Sequence, residues 1–139
     1  MKGMNRRSTM ALGLSAAASP LFISSVSAAA KVYGPNDGKE LYPGVRLVEL
    51  GTFNSDIPVY KNIFMVDVVF QPGAVAPESK MDNDMVCQIT AGEFKIKKAD
   101  KEFTLKECEM YTCAKGKTDG ATNTGAVVGI HRIAIMLPA

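Results

Sequence analysis

The stretch Pro72 to Gly92, PGAVAPESKMDNDMVCQITAG, constrains the fold more tightly than any other part of the chain. Pro72-Gly73 stops the apolar run Ile63 to Phe70. After a polar bend, Met85-Val86-Cys87-Gln88-Ile89 alternates apolar and polar residues until Ala91-Gly92. That pattern is strand, turn, strand. Gly92-Glu93 reverses the chain into Phe94-Lys95-Ile96-Lys97, where a period of two sets Phe94 and Ile96 on one face and the lysines on the other. The expected unit is a hairpin.

The same rhythm extends in both directions. Val45 to Leu50 alternates and meets Gly51; Asn54 to Pro58 is a turn; Tyr60 to Phe70 is rich in β-forming residues. In that run Phe64, Val66, Val68 and Phe70 form a wholly apolar face, which belongs in the core, while Ile63, Met65, Asp67 and Val69 face the other way. Further on, Glu102 to Leu105 and Met110 to Cys113 read as short strands, Gly116 to Gly125 as a long polar loop, and Ala126 to Leu137 as a last strand. Lys31 to Gly44 reads as an arm. No helical period is sustained beyond residue 30. Many short strands in one domain imply an all-β closed architecture that hides its edges. A chain of 139 residues suffices for one such domain.

The first thirty residues read as an address. Lys2, Arg6 and Arg7 begin a stretch without acids, Met10 to Val26 is an apolar run of small residues broken by Pro20, and Val26-Ser27-Ala28 or Ala28-Ala29-Ala30 suits a signal peptidase. Asn5-Arg6-Arg7-Ser8-Thr9-Met10 resembles a twin-arginine signal, with an ordinary secretory signal as the rival. The expectation is a cleavable signal over residues 1–30, a periplasmic or secreted product, and no stable membrane span after cleavage. Removing residues 1–30 leaves 13 bases against 14 acids, a formal charge of −1. With no basic stripe, nucleic-acid binding has no electrostatic footing.

The spacing of the glycines then carries a resemblance. The chain resembles the cupin superfamily, whose two motifs are G-x5-H-x-H-x3–4-E-x6-G and G-x5-P-x-G-x2-H-x3-N. Gly73 opens the first motif and Gly92 closes it, with Ser79 and Met81 at the histidine positions and Met85 at the glutamate position. In the second, Cys108 stands for the opening glycine and Ala114 for the proline; Gly116 and Asn123 match; Asp119 takes the histidine position. The resemblance implies a jelly-roll β-barrel over residues 45–139. In metal-using cupins it implies three imidazoles and a carboxylate on a divalent ion, a set that Ser79, Met81, Met85 and Asp119 cannot reproduce for iron, manganese or zinc. No metal-dependent activity is carried over, and no cofactor is expected.

The expected function is a noncatalytic module that binds a small molecule, with Ser79, Met81, Met85, Cys87, Asp119 and His131 around a pocket. Two alternatives stand beside it. Met81, Met85, Cys87 and Asp119 offer soft donors for copper in an exported protein, although methionine also fills irregular apolar space. An enzyme would rely on His131, Asp119 or Tyr111 as acid or base. Cys87, Cys108 and Cys113 are an odd set; Cys108 and Cys113 point to opposite faces and cannot bridge without a bend, while Cys87 with Cys113 could bridge given neighbouring strands. Glu78, Asp82 and Asp84 read as solvated loop acids, and Lys95, Lys97, Lys98 and Lys101 as a solvated strand face. By analogy with cupins, the arm from Lys31 to Leu50 is a natural partner strand for a homodimer.

Overall fold

A computed structural model describes residues 32–139, so the expected signal over 1–30 lies outside the described residues. Ten strands follow in order: β1 Lys39–Tyr42, β2 Val45–Asn54, β3 Tyr60–Phe70, β4 Val75–Lys80, β5 Asp84–Ala91, β6 Phe94–Lys98, β7 Lys101–Leu105, β8 Met110–Cys113, β9 Thr118–Asn123 and β10 Gly129–Pro138. They make a six-stranded sheet, β1-β2-β3-β10-β5-β8, facing a four-stranded sheet, β4-β9-β6-β7. All the pairings are antiparallel. Among the described residues no helix is long and apolar enough to cross a membrane.

The alternation read from the sequence explains the core. Val66, Val68 and Phe70 of β3 are buried beside Ile89 of β5, Phe94 and Ile96 of β6 and Ala121 of β9, with Phe64 packed at their margin. Phe70 and Phe94 meet edge to face with ring centroids 5.0 Å apart, an arrangement that the ring quadrupoles favour. Burying each of these large side chains stabilises the fold by roughly 2 kcal/mol. Gly92 is required twice over. Its φ is 83°, and a Cβ there would lie 2.9 Å from the Gly129 Cα.

Four expectations are corrected. Gly116 to Gly125 is not all loop, because it contains β9, the inner strand between β4 and β6. The polar bend before Met85 contains β4, whose residues are mostly exposed at a sheet edge. β2 continues past Gly51 to Asn54, through a register shift between Glu49 and Gly51, a bulge that bends the strand without ending it. The arm is not wholly irregular: its Lys39–Tyr42 segment pairs with β2 of the same chain.

The outward face of β3 also differs from a solvated one. Asp67 is completely buried, and Arg132 on β10 forks onto it, Nε to Oδ1 at 2.8 Å and Nη2 to Oδ2 at 2.9 Å. The arm crosses this pair, with the Tyr33 hydroxyl donating to Asp67. A buried carboxylate is tolerable only with such partners.

Cys108 stands where the first position of the second motif has glycine, and the backbone explains that preference. Its φ is 72°, in the left-handed region that costs an L-residue about 1–2 kcal/mol. Its amide donates to the Ile89 carbonyl at 2.8 Å, so the turn is fixed. Cys108→Gly is expected to raise the unfolding free energy by about 1 kcal/mol, measured as a higher urea midpoint with unchanged slope. Cys108→Ala should give no such gain, since it keeps the Cβ.

Candidate functional site

The inner side of the barrel divides into an apolar half and a polar half. Next to the Phe70–Phe94 pair lies His131 on β10, buried, its ring 5.9 Å from that of Phe94. As its parity predicts, His131 points inward with Ile133 and Ile135, which pack against the core. Register brings the other members together: Cys87 lies opposite Tyr111 across β5 and β8, and Met85 opposite Cys113.

Tyr111 is the hub. Its hydroxyl donates to Asp119 Oδ2 at 2.8 Å and lies 3.1 Å from His131 Nε2. If the phenol gives its proton to Asp119, it can only accept from His131, which assigns the Nε2-protonated tautomer; the opposite tautomer would require the phenol to donate to His131 instead. Asp119 Oδ1 is buried and no donor among the described residues meets it in good hydrogen-bond geometry, although the Gly120 amide lies close enough to the carboxyl to favour its ionised form. Such an orphaned acceptor is expensive, about 1–3 kcal/mol. In a native site it signals something to be bound or a strain to be held.

Burial dominates the electrostatics. It pushes the Asp119 carboxyl above the usual carboxylate range, against the hydrogen bond from Tyr111, which pulls the other way. It raises the Tyr111 phenol far above its ordinary value, helped by Cys87 and Asp119. The Cys87 thiol is pushed up to about 12, by burial first and then by Asp119; Cys113 is raised by the same two causes. His131 is lowered to about 4 by burial alone. At neutral pH the histidine, the phenol and the thiols are therefore all uncharged.

Of the expected pocket residues, Met85, Cys87, Asp119 and His131 are buried. Met81 is half-buried against the cluster of Met85, Cys87 and Cys113. Loop pairing holds it there, because its amide and carbonyl bond Lys117 and Gly116. Ser79 does not join them: it is paired with Asp119 in register but exposed on β4. The four positions of the metal-using motifs thus carry one carboxylate, two thioethers and an exposed hydroxyl, with no imidazole. Among the described residues no three His, Cys, Asp or Glu side chains could hold a metal ion, so the residues present do not fit the divalent centre of such cupins.

Cys87 and Cys113 sit on neighbouring strands, as a bridge requires, but diagonally, and both are free; diagonal positions lie about 7–8 Å apart, beyond ordinary disulfide reach. Asn123 proves structural, its Nδ2 donating to the Phe70 and Val127 carbonyls. Asp84 is not a simple solvated acid: it accepts from the Tyr60 hydroxyl at 2.6 Å and the Lys115 amide at 2.7 Å. Glu78 is bonded to Thr118.

The sequence reading missed the surroundings of Tyr111. Phe103 of β7 meets its ring edge to face at 5.6 Å, and Lys98 Nζ lies 5.7 Å from its centroid while donating to the Thr112 carbonyl. Lys98 is only partly exposed, unlike Lys95, Lys97 and Lys101. Beside these groups a cleft of about 550 Å³ opens between β7 and β8, lined by Lys98, Lys101, Phe103, Thr112, Lys117 and Thr118 among others.

The buried imidazole makes stability depend on pH. Its folded value, about 4, is below the ordinary 6.5, so the unfolded chain binds the extra proton first as pH falls. This contribution is intact above about pH 6.5 and lost progressively down to about 4. Asp119, raised on folding, acts in the opposite sense and partly masks the effect, so a difference between variants isolates it. Between pH 7 and 4 the unfolding free energy should fall by about 3 kcal/mol more in the wild type than in His131→Gln, measured by urea denaturation at each pH.

Comparison with solved structures places this architecture. A cupin resembling RmlC from Shewanella frigidimarina is 19% identical, with a TM-score of 0.59 over 78% of this chain and 89% of that one. KdgF from Halomonas sp. is 17% identical, with a TM-score of 0.56 over 71% of this chain and 86% of that one. The cupin domain of an XRE-family transcriptional regulator from Enterobacter cloacae is 16% identical, with a TM-score of 0.58 over 69% and 99%. No family model and no curated protein matches the sequence. With two facing antiparallel sheets and left-handed glycines at 73, 92 and 116, the chain has the cupin fold, a double-stranded β-helix.

Proposed function

We propose that this chain is an exported cupin-fold module that binds a small organic molecule without a metal, between the open edges of β7 and β8, beside the buried cluster of Tyr111, Asp119 and His131. The observation that carries the reading is Asp119 Oδ1, a buried acceptor that no donor among the described residues meets in good hydrogen-bond geometry. A ligand hydroxyl or amine that donates to it would recover the lost hydrogen bond. The adjoining cleft, with Phe103 and Lys98 against the Tyr111 ring, supplies the apolar and polar wall common to ligand sites.

Binding is favoured over catalysis by the protonation states. Burial holds the Cys87 thiol and the Tyr111 phenol in their unreactive forms. His131 lies against the Tyr111 hydroxyl, and burial lowers its basicity well below that of a free imidazole. The start of the chain, with its paired arginines and small-residue apolar run, supports export to the periplasm or beyond.

One observation favours copper as a second reading: Met85, Cys87, Cys113 and Met81 form a single sulfur-bearing cluster, and soft donors suit Cu(I). The thiols oppose it, since both would have to ionise against burial.

Two measurements separate these readings. In a small-molecule thermal-shift screen, compounds that stabilise the wild type should lose about 10-fold or more in affinity with Asp119→Ala or Tyr111→Phe, the magnitude of one or two buried hydrogen bonds. Hits indifferent to both variants would remove Asp119 and Tyr111 from the site. Protein purified from copper-supplemented cells should hold far less than one equivalent of copper; a stoichiometric content lost in Met81→Ala/Met85→Ala would establish the second reading instead.

A further inference from the structure

The cleft beside Tyr111 has a charge distribution that the rest of the chain does not share. Residues 31–139 carry almost balanced charge, yet the walls of this cleft hold Lys98, Lys101 and Lys117 against one acid, Asp100. The ion pairs among the described residues are Lys97 with Glu78 and Arg132 with Asp67, so none of the three cleft lysines has a carboxylate partner there. Lys98 is the unusual one. It is partly withdrawn from solvent, its ammonium donates to the Thr112 carbonyl on the edge strand β8, and it stands over the Tyr111 ring. A carbonyl and an aromatic face hold a cation in place but leave its charge unneutralised.

We infer that this cleft takes a small organic carboxylate, with Lys98 as its principal counter-ion and Lys101 and Lys117 closing around the same charge; the inference rests on the binding reading above and names the class of ligand. The lining supports a carboxylate over a phosphate. Phosphate sites are commonly built from backbone N–H groups at a helix N-terminus or from arginine forks, and the cleft lining includes no arginine. The one hydroxyl-and-amide pair at its edge is already engaged, with Ala99 N donating to the Thr118 hydroxyl at 3.0 Å and that hydroxyl donating to Glu78 at 2.6 Å. Phe103 gives the apolar part of an organic anion a surface that inorganic phosphate would not use. The carboxylate sits at the rim, where water still reaches it, and the remainder of the molecule lies against Phe103. Two carboxylates are thereby kept apart, the ligand's by the lysines and the protein's by the phenol.

The test is a titration of the purified protein with lactate, citrate and glucuronate, each beside a neutral counterpart (lactamide, glycerol and glucose), and with inorganic phosphate. Binding is followed by amide chemical shifts and calorimetry. At least one carboxylate is expected to shift the amides of Lys98, Thr112 and Thr118 saturably, at least 10-fold more tightly than its neutral counterpart and more tightly than phosphate. Its affinity should fall about 10-fold in Lys98→Met and several-fold in Lys101→Gln, whose exposed position leaves folding intact, and should not change in Lys95→Gln. Neutral compounds binding the cleft as well as the acids would overturn the carboxylate class while leaving the binding module standing. Tighter binding of phosphate, or affinities unchanged in both Lys98→Met and Lys101→Gln, would also overturn it. If neither acids nor neutral compounds perturb the cleft, this inference fails; if a wider screen also yields no ligand sensitive to Asp119→Ala, the reading beneath it fails as well.

Discussion

The fold depends on the ladder that sets β10, the last strand, between β3 and β5. From Gly129 to Pro138 it pairs along most of β3, and on its other side from Ile130 to Met136 along β5. The six-stranded sheet is therefore complete only when the C-terminal residues are in place. A contact of such long sequence separation is entropically expensive to close. Consecutive residues of β10 then serve opposite faces: His131 enters the barrel beside Phe94, and Arg132 leaves it to fork onto Asp67. A slip of one residue would put the guanidinium among aromatic rings and the imidazole under the arm. The buried ion pair outside and the phenol–imidazole bond inside thus specify the same register.

How legible the chain was follows from where alternation survives. β3, β5 and β6 bury one face against the core, so period two is written plainly into Tyr60–Phe70, Asp84–Ala91 and Phe94–Lys98. β4 is an exposed edge, and its sequence VAPESK carries no apolar face to read. β9 fails differently. Its sequence TDGATN is mostly buried, but small and polar residues fill its inward positions. Gly120 is there because a Cβ would lie 2.8 Å from the Glu78 amide of β4. Two lone charges in apolar runs, Asp67 and Arg132, were visible signals of a buried pair. What hid the pairing is that it joins residues 65 positions apart. Tyr111 was a visible candidate as an acid or base, but its central position is a matter of register, set by its placement opposite Cys87.

The motif positions separate backbone requirements from chemical ones. Left-handed turns persist at 73, 92 and 116, and the same conformation is imposed even on Cys108. Asn123 keeps its clamp on the Phe70 and Val127 carbonyls. These positions hold the scaffold, and they match the cupin pattern or retain its geometry. The histidine and glutamate positions instead hold Ser79, Met81, Met85 and Asp119. The serine faces solvent and the methionines join a sulfur-rich apolar cluster. Across the space between the sheets the Tyr111 phenol instead meets both the Asp119 carboxyl and the His131 imidazole.

Dryness then decides where charge can be recognised. The same burial that lowers His131 and raises Asp119, Cys87 and Tyr111 disfavours the charged form of each titratable group in this cluster. An interior of that kind can donate and accept hydrogen bonds, but it cannot neutralise an ion without paying for desolvation twice, once for the ligand and once for the protein. Any discrimination by net charge has to be made at the rim, where lysines reach water and lie close enough to matter. Lys98 meets both conditions. It reaches solvent through the cleft, yet its field extends inward, pulling Asp119 and Cys87 toward their ionised forms against the larger effect of burial. A carboxylate seated on Lys98 would cancel that inward pull. Asp119 would then be raised further above the usual carboxylate range, so occupancy of the rim and the proton affinity of the buried cluster are coupled through one ammonium group.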